Sequence, residues 1–239
     1  MEVRQLTTEH ERKIFAECLG RARATKGMIG TRETAGSKLD AVHLMFGNVY
    51  AVFERDCAPT EEMIAGFIFH DLASLPQSFS KPDLSHLPAK SVIEGGSLWS
   101  LSRGGAGIIR RVAPAMVGIL QAEAVLLYPV CKPLDLTAPH RELGFEAACE
   151  PILNVFGETV EGEPIWIQPM VIQGAKLREY IRWGFDFLFA SEAGRRSFRF
   201  ESSYPLRAKS SASTAEIAKA LPVAANGNGH HEATQNPAT

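Results

Sequence analysis

The residues with chemical potential in this chain are His140, Cys149, Glu94 and a basic, glycine-rich run, Arg103-Gly104-Gly105-Ala106-Gly107, followed by Arg110 and Arg111. A strand-like stretch, residues 97–102, feeds the glycine run, and a helical pattern follows it. Such a junction presents backbone N–H groups at a helix N-terminus, where the macrodipole favours an anion. Guanidinium forks suit phosphate oxygens, so the arrangement reads as a place to hold a phosphate. On the plainer reading, Arg110 and Arg111 are the wet face of a helix. His140 has an unperturbed pKa of about 6.5, competent for proton transfer near neutrality in either direction. Placed after Pro139 at a helix start, it also suits an ordinary surface position. Cys149 admits a thiol nucleophile partnered by His140, although a lone cysteine in a strand is more often a small core residue. Glu94, beside Gly95-Gly96, is the nearest carboxylate, or else a solvated turn glutamate.

The elements that must position these groups centre on residues 92–145: a strand at 97–102, a glycine turn at 103–107, a helix, a buried strand at 124–129 and a short helix closing on His140-Arg141-Glu142-Leu143-Gly144-Phe145. Pro114 inside the first helix removes a backbone donor and should bend it. Upstream, Thr8 with Glu11 three residues on forms a capping-box pattern for an amphipathic helix to about Ala24. Residues 25–40 read as a flexible loop and a candidate part of an acceptor site. Two strand-like runs, 41–54 with a slip at Gly47-Asn48 and 63–72, read as antiparallel neighbours joined through a turn at Cys57-Ala58-Pro59-Thr60. Residues 73–90, punctuated by Pro76, Pro82 and Pro88, form either a packed lid or a plain surface loop.

Downstream, residues 145–156 suggest one or two strands and 157–163 a polar turn. Pro169 within the apolar run 165–172 predicts an edge strand or a bulge, because proline cannot donate to a ladder. Residues 176–190 predict a last helix with Leu177, Tyr180, Ile181, Phe185 and Leu188 on one side, and Arg178 and Arg182 on the other. From about Ser210 no sustained apolar pattern remains, so residues 1–200 are expected to be one domain and 201–239 a disordered tail. His230-His231 within that tail reads as composition rather than a metal site.

At 239 residues and 45% apolar content, the chain can bury one good core. A net charge of −2 offers no global basic field, so nucleic acid is not the expected partner. The four cysteines are widely spaced without a C-x-x-C pair, and neither a signal peptide nor a transmembrane segment is evident. A cytoplasmic setting with reduced thiols fits best.

The order of elements resembles the GNAT superfamily of acyltransferases over residues 8–175. His140-Arg141-Glu142-Leu143-Gly144-Phe145 is similar to that family's Tyr-x-x-Leu-Gly-Phe ending, with histidine at the tyrosine position. Arg103-Gly104-Gly105-Ala106-Gly107 is similar to its pyrophosphate loop. Trp99-Ser100-Leu101-Ser102-Arg103 resembles the Trp-Glu-x-Ser-Arg region of acyl-homoserine-lactone synthases and long-chain N-acyl amino acid synthases, with Ser100 at the glutamate position. The resemblance implies an α/β (α+β) fold, a mixed, mostly antiparallel sheet with helices on both faces. It also implies an acyl thioester donor, acyl-CoA or an acyl carrier protein, a small amine acceptor and no metal. It leaves a homodimer open. Direct aminolysis needs a deprotonated amine, a stabilised oxyanion and a proton for the leaving thiolate. On that footing the N–H groups of Leu101 and Ser102 would face the thioester carbonyl, His140 would protonate the sulfur, and Glu94 would relay the amine's proton through water. Arg103, Gly104, Gly105, Ala106, Gly107 and Arg110 would grip the donor's phosphates. The alternative is the same fold without catalysis, as a ligand-binding module or scaffold.

Overall fold

The computed structural model describes residues 2–25, 28–29, 47–53, 63–71, 85, 87, 91–189 and 199–201. The loop proposed at 25–40, apart from Thr25 and the short strand Met28–Ile29, lies outside the described residues, as do the 57–60 turn, most of the 73–90 excursion and the stretch 202–239 with His230-His231.

Strand β1 (Glu2–Gln5) leads into helix α1 (Glu9–Ala24), whose start obeys the expected chemistry. Thr8 Oγ1 accepts from the Glu11 N–H at 3.2 Å, and Glu11 Oε2 accepts from the Thr8 N–H at 3.1 Å, so two otherwise orphaned donors at the helix start are satisfied reciprocally. Phe15, Cys18, Leu19 and Ala22 then fall on one buried face. Strands β2 (Met28–Ile29), β3 (Asn48–Phe53), β4 (Met63–Asp71) and β5 (Val92–Ser100) follow. Helix α2 (Arg103–Ile119), β6 (Ala124–Leu127), β7 (Val130–Lys132) and the one-turn helix α3 (Ala138–Glu142) come next. The chain continues through β8 (Glu146–Ala147), β9 (Ile152–Thr159), β10 (Pro164–Ile167), β11 (Met170–Gln173), helix α4 (Gly174–Phe189) and β12 (Arg199–Glu201).

Eight strands make the main sheet in the order β12-β1-β3-β4-β5-β6-β11-β8. Its pairs are antiparallel except β1–β12 and β5–β6, which are parallel. Alternation along the strands sends side chains to two cores. Phe15, Leu19, Val49, Ala51, Ile68 and Trp99 pack under α1. Tyr50, Val52, Phe67, Phe69, Ile93, Val112, Met116 and Tyr180 pack with α2 and α4 on the other face. The expected mixed, mostly antiparallel sheet with helices on both faces is thus present.

Three details differ from the sequence reading, and a fourth adds to it. Arg103–Gly107 is no turn: Ser102 caps α2, and the glycine run forms its opening turns. The strand before it starts at Val92 rather than 97, which places Glu94 inside a strand. The expected bulge is present in β10, where the register shifts beside Trp166, but Pro169 itself lies just beyond that strand, which is not an edge. Pro169 separates β10 from β11, and Pro129 separates β7 from β6 at the same level, where the Gln168 N–H donates to the Pro129 carbonyl at 2.9 Å. Both strands of that ribbon therefore break together, and their outer halves join β9 and β2 in a separate four-stranded sheet, β2-β9-β10-β7. Finally, Pro114 lies where α2 crosses α4: a Cβ on Gly184 would come within 2.7 Å of its side chain, so the proline is seated in a close helix contact.

Candidate active site at a strand fork

Strands β5 and β6 begin as parallel neighbours, Val92 opposite Ala124 through Gly95 opposite Leu127, and then part. The crotch is tight. A Cβ at Gly95 would stand 2.5 Å from Leu127 Cδ2 and 3.3 Å from the Phe69 ring, so glycine lets the leucine cross the strand. Beyond it, β5 stays paired to β4 as far as Ser100, while β6 ends and the chain turns off at Tyr128-Pro129. Among the described residues, no strand covers β5 on that side from 96 to 100. A bulge accompanies the split: the β4–β5 register shifts between Gly66 and Ile68, and Ser97 adopts φ 49°, the left-handed region that a non-glycine residue rarely enters. Leu98, next along, is 54% exposed.

At the end of β5 the expected amide donors are already engaged. The Leu101 N–H donates to the Ile64 carbonyl at 2.8 Å, and the Ser102 N–H to Ser100 Oγ at 3.2 Å. Ser102 instead serves as the N-cap of α2, its Oγ accepting from the Gly105 N–H at 3.1 Å. Gly105 is buried and lies against β4: a Cβ there would meet Ala65 Cβ at 2.7 Å. Ala106 and Gly107 are exposed, with open space beside Gly107. Arg110 is spent on α3, in an ion pair with Glu142 at 2.8 Å, and Arg111 lies over the Phe187 ring at 5.2 Å. Neither is arranged for a phosphate as it stands. Of Arg103 only the backbone is described. No acidic residue occupies the first turn of α2, so its positive dipole end is uncompensated from within the helix.

His140 is fixed by local structure. The Thr137 N–H donates to Asp135 Oδ1 at 2.9 Å ahead of α3, and Gly144 at φ 93° ends the helix so that Phe145 returns to the core. The His140 and Phe145 rings meet edge to face at 5.9 Å. Burial, then the nearby Arg110 charge, lowers the His140 pKa from its ordinary value, so the imidazole is neutral at neutral pH. It stands on the face of the sheet covered by α2 and α4.

Glu94 stands on the other face. It is 6% exposed, which overturns the solvated-turn reading, and lies directly across from His70, itself 1% exposed, on the side shared with Ile68 and α1. The two expected catalytic residues therefore flank the sheet rather than touch. One group escaped the sequence reading. Tyr128 follows Leu126, the register partner of Glu94, by two residues, and its buried Oη has no hydrogen-bond partner among the described residues. Burial, then the Glu94 carboxylate, then Cys149, raises its pKa well above the usual phenol range. Cys149 is itself shifted upward, by burial and then by Glu150, and its thiol donates weakly to the Glu150 carbonyl at 3.4 Å; it is a thiol rather than a thiolate nucleophile. Among the described residues, no group of three His, Cys, Asp or Glu side chains is placed to hold a metal ion, and no helix is long and apolar enough to cross a membrane.

No family model matches the sequence, and no curated protein matches it. Solved structures do. FeeM, an N-acyl amino acid synthase from uncultured soil microbes, aligns over 74% of this chain and 93% of its own, at 10% identity and a TM-score of 0.54. An aminoglycoside N(6')acetyltransferase from Legionella pneumophila aligns over 74% and 94%, at 10% identity and TM-score 0.48. A spermidine N-acetyltransferase from Vibrio cholerae, in complex with CoA and spermine, aligns over 74% and 96%, at 12% identity and TM-score 0.46. Identity this low speaks to architecture: with its parting central strands and helices on both faces, this chain is built on the GNAT acyltransferase fold.

Proposed function

We propose that the protein is an N-acyltransferase that moves an acyl group from a phosphopantetheine thioester, acyl-CoA or an acyl carrier protein, to an amine by direct aminolysis. The observation that carries this reading is the fork: a strand that loses its neighbour beside an uncompensated helix N-terminus, with a carboxylate buried at the crotch. The open flank of residues 96–100 suits an extended pantetheine arm, which can add to a strand edge through its amides. The N-terminus of α2, with no acidic residue in its first turn and open space beside Gly107, suits the phosphates. Glu94, shielded from bulk water, accepts the amine's proton, directly or through one water. His140, on the α2 side, adjoins the donor rather than the amine.

Amine-dependent thiol release from acyl-CoA or acyl carrier protein tests the reading. The purified full chain is offered each donor with a panel of amines, and release that rises with amine concentration is the expected result. Saturable donor binding without release across the panel favours the ligand-binding or scaffold alternative. The engaged amides of Leu101 and Ser102 and the engaged Arg110 are the observations on that side.

A further inference from the structure

We propose that Leu127 sets the acyl length the fork accepts, and that the donor carries a short acyl group rather than a fatty one. The inference rests on the transferase reading and deepens it by naming the class of donor. Trp99-Ser100-Leu101-Ser102-Arg103 resembles the long-chain N-acyl amino acid synthases, so likeness alone would suggest a fatty acyl group. The base of the fork argues against one.

Gly95 is the last β5 residue paired with β6, and its register partners are Leu127 on β6 and Phe69 on β4. Register partners share a face of the sheet, so the three positions form one row beneath the opening. The middle position is glycine, and the space its Cβ would take is already filled: Leu127 Cδ2 lies 2.5 Å from that point and the Phe69 ring 3.3 Å. The leucine therefore leans over the strand toward the phenylalanine and bars the crotch. Behind the bar, the next row on this face is Ile93 and Val125, both buried in the core under α2 and α4. An alkyl tail could enter that row only by displacing packed side chains, which is unfavourable. On the opposite face, the row at Glu94 is completed by His70 and Leu126, all three buried. Methylenes laid against that carboxylate would desolvate it and offer no hydrogen bond in return. One face is closed by bulk and the other by polarity. A thioester carbonyl held beside residues 96–100 keeps its acyl group above the bar, and a longer chain would turn outward, where water removes the gain from burial. Leu127 is the part of the bar that can be trimmed, because it is only partly buried whereas Phe69 belongs to the core.

The test is a ladder of acyl-CoA donors from acetyl to dodecanoyl, each assayed with the full chain for amine-dependent thiol release, using an amine that gives release. Wild-type kcat/KM should be highest for the shortest donors and roughly tenfold lower by octanoyl. A built acyl channel would instead improve it roughly fourfold for each methylene buried. Leu127→Ala opens the bar and should raise the octanoyl-to-acetyl ratio of kcat/KM by about tenfold. Leu127→Val, the gentler truncation, should shift the ratio the same way by less, and thermal melts show that each variant is folded. The wild-type ladder needs no variant and decides the donor class by itself. Rising kcat/KM with chain length in the wild type, or an unchanged profile in the folded variants, overturns the inference and leaves the transferase reading standing. Absence of amine-dependent thiol release from every donor overturns both.

Discussion

The two ends of β5 obey different rules. From Val92 to Gly95 the strand is hydrogen-bonded on both sides, and its glycine is packed against Leu127 and Phe69. From Gly96 to Ser100 it keeps only β4 as a described neighbour, carries the Ser97 bulge and turns Leu98 outward. One half is core, where any added atom is felt; the other is a presented edge. Glu94 sits within the zipped half, immediately below the opening, so on the proposed reading the rigid end would orient the carboxylate while the free end would take the donor.

That contrast can be broken experimentally. The largest effect is expected from Glu94→Gln, which keeps the size of the side chain and removes its basicity. Thiol release should fall about 10²–10⁴-fold, while donor retention, followed by equilibrium binding, persists. Equal loss of binding and turnover would show that Glu94 is mainly part of the zipped frame. Next is Gly95→Val, which forces a side chain into Leu127. The urea midpoint should drop by the equivalent of about 1–3 kcal/mol, the usual cost of overpacking. Ser102→Ala removes the α2 cap and strands the Gly105 N–H, so denaturation should report a loss of about 1 kcal/mol.

The smallest effect is expected at His140. Its folded pKa lies below the unfolded value of about 6.5, so the unfolded chain binds the proton first as pH falls. Wild-type stability should therefore decline as pH drops through about 6.5 and level off below the folded pKa. His140→Gln should lack that component in a pH series of unfolding midpoints.

What the sequence made legible was local. Thr8 and Glu11 predict their cap because both partners lie within one helical turn, and Gly144-Phe145 predicts the end of α3 because a positive φ is a demand on one residue. The last helix followed from its apolar periodicity, observed as Gly174–Phe189. Non-local facts stayed hidden. Glu94 looks solvated beside two glycines until β4 and β6 are known to flank it. Arg110 looks like a phosphate ligand until Glu142, thirty-two residues on, is brought to it. Tyr128 hides within an apolar run because nothing in Ala124–Pro129 signals that the pairing with β5 stops there. Ser97 carries no glycine or asparagine cue for its bulge. Leu87, among the few described residues of the proline excursion, is buried against Ala124 and Val171, a contact no periodicity announces.

Pro129 and Pro169, side by side where one ribbon passes from the main sheet to the outer one, have a consequence for how cargo is received. Neither can supply the amide that would let the pairing run straight through, so the aperture is written into covalent structure rather than pried apart by its occupant. A guest meets a doorway already ajar, and its binding energy is not consumed in tearing open a ladder. On the transferase reading, altering the outer arm beyond those two imino acids should leave a donor's berth against β5 untouched.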